Sequence, residues 1–216
     1  IMINYEIIST GSKGNAVVLD NRILIDCGVT FKKLMAVYRD IDIVLLTHIH
    51  SDHFKHATIR MLAYERPMLR FACGEWLYDE LKRCGANSKN IDVLNIGEKY
   101  DYGYFEIIPV KLYHNVPNCG FKIKLLGQKV FYATDTMTFQ GVSAKNYDLY
   151  MIEANYDPIK IQETIYEKRK AGKYPYELDV LKNHMSITDS QKFYETMKGE
   201  NSSVVYLHGH DYGVEK

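Results

Sequence analysis

Apolar residues along this chain gather in short clusters, and the spacing within each cluster separates strand from helix. Tyr5 to Ile8 reads as a strand. Ala16 to Leu19 and Ile23 to Ile25 flank Asp20-Asn21, a pair suited to a hairpin turn. Thr30 is placed to cap a helix running to about Tyr38. The unbroken run Ile43-Val44-Leu45-Leu46 predicts a buried strand. A helix follows over about Lys55 to Glu65, stopped by Pro67. Leu69 to Ala72 is another short strand, and Glu75 to Arg83 a helix closed by Gly85. The middle of the chain is mostly β: Tyr104 to Leu112, Cys119 to Leu125, Lys129 to Tyr132 and Asp148 to Ile152, with a turn at Gly127-Gln128. Helices are expected over about Ile159 to Lys170, Leu178 to Leu181 and Asp189 to Lys198, before a last strand, Ser203 to Leu207. Strands in two blocks, each accompanied by helices, imply an α/β fold of two packed sheets with helices outside. A single domain over residues 1–216 is expected, since one core suffices for this length.

Composition narrows the function classes. Lys plus Arg and Asp plus Glu number 27 each, so net charge is zero and no strongly basic nucleic-acid binder is indicated. A local basic groove is compatible with that total. The 18 tyrosines read first as filler on half-buried surfaces. Cys27, Cys73, Cys84 and Cys119 form no Cys-x-x-Cys pair, and they are expected as buried, reduced thiols. The first residues lack the layout of a signal peptide, and no apolar run approaches the roughly 20 residues of a membrane helix. The expectation is a cytoplasmic protein with no membrane partner.

Half of the eight histidines fall in one stretch, THIHSDHFKH, at residues 47–56. Alternate side chains of an extended segment share one side, so His48 and His50 point at one centre as the strand ends. Asp52 and His53 follow near the next helix and turn toward a second centre beside the first. Imidazole nitrogen and carboxylate oxygen are the usual ligands of Zn²⁺ and similar ions. A solvated polar loop would explain one His-x-His, but not His-x-His-x-Asp-His directly after a buried strand. His56, one turn on, is expected to be exposed or to support the site without ligating.

This motif resembles the signature of the metallo-β-lactamase superfamily, whose fold is an αββα four-layer sandwich with metals at one edge. The opening STGSKGN and the segment Leu24-Ile25-Asp26-Cys27-Gly28 resemble the family's N-terminal strands. More narrowly the chain resembles the single-domain bacterial WalJ/YycJ-like branch, whose members look like exonucleases. The resemblance assigns further residues. His114 matches the family's third histidine, before the strand Gly120-Phe121-Lys122-Ile123, and Asp135 in Thr134-Asp135-Thr136 matches its bridging aspartate. His208 matches the last ligand. The residues after it, Gly209-His210-Asp211, depart from the branch's Leu-Ser-Glu type, which leaves His210 as an alternative. The resemblance thus implies two divalent ions, Zn²⁺ or else Mn²⁺ or Fe²⁺. One takes His48, His50, His114 and Asp135, the other Asp52, His53, Asp135 and His208. A water or hydroxide between them would be the nucleophile.

Ligands alone do not select a substrate. Glu153, in Glu153-Ala154-Asn155-Tyr156-Asp157, resembles an acidic motif of tRNase Z and the β-CASP nucleases and the branch's EAN.D pattern. Asn183-His184-Met185-Ser186 looks like the branch's Gly-His-Leu-Ser, with Asn and Met substituted. The resemblance places a histidine there beside the scissile phosphate, and a nearby carboxylate would raise its pKa and orient it. The alternatives are a helix cap for the second segment and a solvated Glu153. Asp52, Glu153 and His184 form the catalytic set so implied. The basic run Glu167 to Lys173 reads by default as a solvated helix end, and otherwise as part of a substrate entrance. The expected activity is phosphodiester hydrolysis, most closely a DNA exonuclease acting on a nucleic acid or nucleotide. A cyclic- or small-nucleotide phosphodiesterase and a non-catalytic metal-binding regulator are the alternatives.

Overall fold

The structure is a computed structural model, and residues 3–209 are described. Its first sheet contains β1 (Tyr5–Ser9), β2 (Ala16–Leu19), β3 (Ile23–Ile25), β4 (Ile43–Leu46), β5 (Arg70–Cys73) and β6 (Ile91–Val93), paired in that order. The second contains β7 (Tyr100–Asp101), β8 (Phe105–Lys111), β9 (Cys119–Leu125), β10 (Gln128–Ala133), β11 (Leu149–Glu153) and β12 (Ser203–Leu207), again in sequence order. In each sheet, hairpin-linked antiparallel strands lead into parallel strands, which are joined through helices except for β10 and β11, linked by a loop over residues 134–148.

The period-2 alternation of the strands builds the layers. Val17, Leu19, Ile23, Ile25, Ile43 and Leu45 meet Phe121, Ile123, Leu125, Tyr132 and Met151 between the sheets. The intervening residues point outward. Val18, Leu24, Val44 and Leu46 lie under α1 (Phe31–Leu34), α2 (His56–Glu65) and α3 (Tyr78–Arg83). Phe131, Ala133, Tyr150 and Ile152 lie under α6 (Ile187–Met197). Each large side chain withdrawn from water in this way stabilises the fold by about 1.5–3 kcal/mol. The remaining helices, α4 (Pro158–Lys170) and α5 (Glu177–Asn183), pack through their own small cluster of Ile161, Ile165, Leu178 and Leu181. The result is the αββα sandwich. Among the described residues no helix is long and apolar enough to cross a membrane.

Several boundaries depart from the sequence pattern. The helix expected through Tyr38 ends at Leu34, where i→i−3 bonds from Met35 N–H to Lys32, Val37 N–H to Leu34 and Asp40 N–H to Val37 replace the helical pattern with successive turns. Thr30 occupies the N-cap position, but its hydroxyl makes no capping hydrogen bond. The β9–β10 turn is Leu126-Gly127, one residue earlier than expected, with φ of 52° and 82°. Strand β6, Ile91-Asp92-Val93, is interrupted by an acid, and β7 carries too few residues to show a period. At Asp20-Asn21 the expected hairpin turn forms, with φ of 48° and 56°, the left-handed geometry that matches strand twist.

Candidate metal centre

Every implied ligand within the described residues sits where a strand ends, at one edge shared by the two sheets. His48, His50, Asp52 and His53 follow β4, His114 follows β8, Asp135 follows β10, and His208 follows β12. His210 lies outside the described residues. At this edge, three of the turns leaving strands place a non-glycine residue in the left-handed region: Asp26 at φ 60°, Asp135 at 59° and His208 at 58°. Such a backbone costs roughly 1–2 kcal/mol per residue, and packing must hold it. Asn118 does so for Asp135, donating to the carbonyls of Thr134 (3.1 Å) and Asp135 (2.7 Å). The His208 N–H is held by Thr10 Oγ1 at 2.7 Å. The histidine loop itself lies against Gly28, where an added Cβ would stand 1.7 Å from the Asp52 carbonyl oxygen. Only glycine allows that approach.

The donors converge in overlapping groups. His48, His50 and His114 form one, Asp52, His53 and His208 a second, and each group offers ligand atoms within 4.8 Å of one another. Asp135 lies between them: its carboxylate is 2.9 Å from His53 Nε2, 3.5 Å from His208 Nε2 and 3.8 Å from His114 Nε2. Glu153 and His184 join Asp135 and His208 in a third group. The sequence motif thus divides as expected, with His48 and His50 on one side and Asp52 and His53 on the other. His56 faces away and pairs with Glu80 at 3.2 Å.

Hydrogen bonding fixes where the lone pairs point. The Thr47 hydroxyl donates its single proton to Asp26, so it accepts from His48 Nδ1–H at 2.9 Å, leaving the His48 Nε2 lone pair free. His114 Nδ1–H donates to the Asn183 carbonyl at 3.1 Å, which frees its Nε2 likewise. Both free nitrogens face His50 Nδ1, each at 3.2 Å. His53 Nδ1–H donates to buried Asp26 at 2.7 Å, and its Nε2 then looks at Asp135 Oδ2. That oxygen is buried and makes no well-aligned hydrogen bond. Clustered lone pairs and an orphaned carboxylate oxygen repel one another unless a cation lies among them. The donor set therefore fits divalent metal ions. The Asn15 amide also reaches His53 Nε2, at 2.8 Å, so His53 would exchange that contact on loading.

Electrostatics agree. Burial holds His48 well below the ordinary imidazole range, and it pushes His114 down to about 4 against the pull of Asp135, so both stay neutral and able to ligate. Burial disfavours the charge of Asp135, but His208, His53 and His48 around it keep the carboxyl well below its usual range. Asp52 is lowered against burial by the hydrogen bond from His208 and by His53. His53 is opposed by burial yet raised well above the usual range by Asp135 and Asp26. Positive charge is wanted at that spot, and a cation supplies it in place of a proton.

Glu153 and His184 meet as the sequence order implies. Glu153 ends β11 and is fully buried; its carboxylate accepts from Thr136 N–H at 2.7 Å and from His184 Nδ1–H at 2.5 Å. His184 lies in the break between α5 and α6, with Ser186 capping α6 through Asp189 N–H. Its ring stacks on His208 at 5.2 Å between centroids. Burial would push the His184 imidazole down, but the Glu153 charge and hydrogen bond outweigh it and raise the group to about 9. The basic run is a helix end: Lys168 turns to buried Glu177 at 2.5 Å and over the Tyr176 ring at 3.4 Å. Asp26, Asn15, Asn118 and Asn155, the last holding His208 Nδ1 at 3.0 Å, had no assigned role in the sequence. Asp26 and Asn15 lie inside segments quoted there, and their polarity within apolar or glycine-rich runs is the one signal that could have flagged them.

With this fold and this donor set in view, the chain belongs to the β-lactamase superfamily: the family's model, described as "Beta-lactamase superfamily domain", matches residues 21–208. Particular relatives refine the comparison. The chain is 25% identical to "Exodeoxyribonuclease WalJ" of Streptococcus pneumoniae over 228 residues, covering 95% of this chain and 80% of the relative. Its structure is similar to that of the metallo-β-lactamase fold protein YhfI from Bacillus subtilis, with TM-score 0.76 and 17% identity over 98% of this chain and 88% of that one. It is similar also to human tRNase Z, short form, with TM-score 0.70 and 17% identity over 97% and 93% of the two chains. These structural likenesses show the fold.

Proposed function

We propose that this chain is a metal-dependent phosphodiesterase acting on nucleic acid, most closely a DNA exonuclease, formed by residues 1–216 as one domain in the cytoplasm. One observation carries the reading: the His184–Glu153 pair stands at the metal centre, its Nδ1 3.8 Å from Asp135 Oδ1. The donor groups support two divalent ions, Zn²⁺, Mn²⁺ or Fe²⁺. His48, His50, His114 and Asp135 would hold one, and Asp52, His53, Asp135 and His208 the other. Bound there, the ions supply Lewis acidity toward a phosphoryl oxygen and acidify a water molecule.

The chain's own residues do the rest. Glu153 accepts a hydrogen bond from His184 Nδ1–H, which fixes the ring and leaves Nε2 to meet the substrate. The Glu153 charge raises the His184 pKa against burial and so favours its imidazolium form. The imidazolium steadies negative charge on the phosphoryl group and donates a proton to the leaving oxygen. Asp52, partly open to solvent, stays ionised and accepts a hydrogen bond from the attacking water. The buried, unpaired thiols of all four cysteines accord with a reducing compartment. Similarity to a protein named an exodeoxyribonuclease favours DNA as substrate. The test is hydrolysis of labelled single-stranded DNA, RNA and cyclic nucleotides by metal-loaded protein, with bis(p-nitrophenyl) phosphate as a minimal diester. Turnover of cyclic nucleotides alone would refute the nuclease reading, and turnover of no diester would refute the enzyme.

A further inference from the structure

Two open cavities, about 430 and 410 Å³, lie side by side next to the centre. The first begins at His114 and Asn183 and is bordered by Lys182 and Met137. The second continues over the outward face of β8 and β9, past Ile108, Val110 and Lys122. Lys111 and Tyr113 line both, so the two form one track that ends at the metal centre. Its lining includes three lysines and no carboxylate residue. In a chain of zero net charge this is a local segregation of positive charge. Lys182 is partly neutralised by Asp179 at 3.7 Å, whereas Lys111 and Lys122 enter no ion pair among the described residues. Lys122 is also half-buried, where an ammonium without a counter-charge is costly. Tyr113 is 39% exposed, and the Lys111 ammonium stands 5.3 Å from its ring centroid.

We propose that this track holds the unreacted part of a single-stranded polynucleotide, with Lys111 and Lys122 meeting phosphates and Tyr113 stacking on a base, a proposal that rests on the phosphodiesterase reading. Ammonium groups without an ion pair beside a partly exposed aromatic ring suit a polyanion with unpaired bases. A duplex keeps those faces covered. From Ile108 to His114 the extended chain spans at most about 20 Å, which is about six stacked nucleotides at 3.4 Å each.

The test is binding of a fluorescein-labelled, hydrolysis-resistant phosphorothioate single strand of ten nucleotides to metal-loaded protein, read by anisotropy against salt concentration. Hydrolysis of bis(p-nitrophenyl) phosphate is followed in parallel. The double variant Lys111→Gln/Lys122→Gln should bind the strand at least about 10-fold more weakly. Its slope of log affinity against log salt should be smaller by about 1.4, for two phosphate contacts at about 0.7 each. Tyr113→Ala should weaken binding by about 10-fold with the salt slope kept. Lys124→Gln, on the same strand but outside both cavities, should bind as the wild type does, and all variants should keep wild-type turnover of the small diester. Wild-type affinity and slope in the double variant, or equal weakening by Lys124→Gln, overturns the track. Failure of the wild type to hydrolyse the small diester instead refutes the phosphodiesterase reading, and the binding series still decides the track.

Discussion

Replacing Glu153 by Gln removes one charge from beneath His184 and almost none of the shape. The amide oxygen can still accept from Thr136 N–H, but its NH₂ group then faces His184 Nδ1, donor against donor. Without the carboxylate, burial is opposed only by the Asp135 and Asp52 charges, and the imidazole pKa falls from about 9 toward the ordinary 6.5. A fall of 2.5 units corresponds to about 3 kcal/mol at 1.36 kcal/mol per unit. At pH 8 the protonated fraction then drops from about nine-tenths to about 3%, so loss of the proton alone slows an acid-assisted step about 30-fold. Bound cations lower both values, so the carboxylate sets the separation between the two proteins rather than either position. The assay is kcat/KM against pH on a single-stranded oligonucleotide. The basic limb should move down by about two units or more in Glu153→Gln. With bis(p-nitrophenyl) phosphate, whose leaving phenolate needs no proton, the loss should be much smaller. An unshifted basic limb would refute the role given to this pair. The same linkage governs stability. A raised imidazole pKa makes the pair's contribution complete below about pH 6.5 and lost as pH rises through about 9, and Glu153→Gln should flatten that decline in urea unfolding.

Other perturbations separate the roles of the remaining residues. Asp26→Asn removes the acceptor that sets the His53 tautomer and should weaken metal binding about 10- to 100-fold in a chelator competition. Asp135→Asn should leave the protein folded by circular dichroism but reduce bound metal measured by mass spectrometry, since this carboxylate lies between both histidine groups. Gly28→Ala sets a Cβ into the Asp52 carbonyl and should cost at least about 3 kcal/mol in urea unfolding, with metal content falling in parallel. Stripping metal with a chelator should lower Tm; metal at 100 times its Kd contributes about 2.7 kcal/mol.

What could be read in advance depended on how the information is spread along the chain. His48, His50, Asp52 and His53 are contiguous, and a strand end turns their spacing directly into two directions. The αββα layering was visible because the core strands alternate or run fully apolar over three to seven residues. Glu153 and His184 were placed by family resemblance rather than by spacing, since 31 positions separate them and only the fold brings them to 2.5 Å. Asp26 was hidden for a different reason: a buried acid inside an apolar run is recognised only once His53 and Thr47 are seen to surround it. Strand β6 was missed because its three residues, Ile91-Asp92-Val93, are interrupted by an acid, whereas the three of β3 are all apolar, and β7 because two residues cannot display a period. The cationic track could not emerge from a neutral total, because Lys111, Lys122 and Lys182 come from three separate elements or turns.

The placement of Asp52 and His208 has a consequence for how the protein is made. These two side chains meet at 3.4 Å although 156 positions separate them. During synthesis the histidine loop emerges early and β12 late. On the ligand assignment proposed above, a chain interrupted before β12 holds the His48, His50 and His114 group but lacks His208, which would complete the second. Assembly of the second proposed donor group would thereby wait for β12, and a copy lacking that strand would carry the histidine loop without its full donor set.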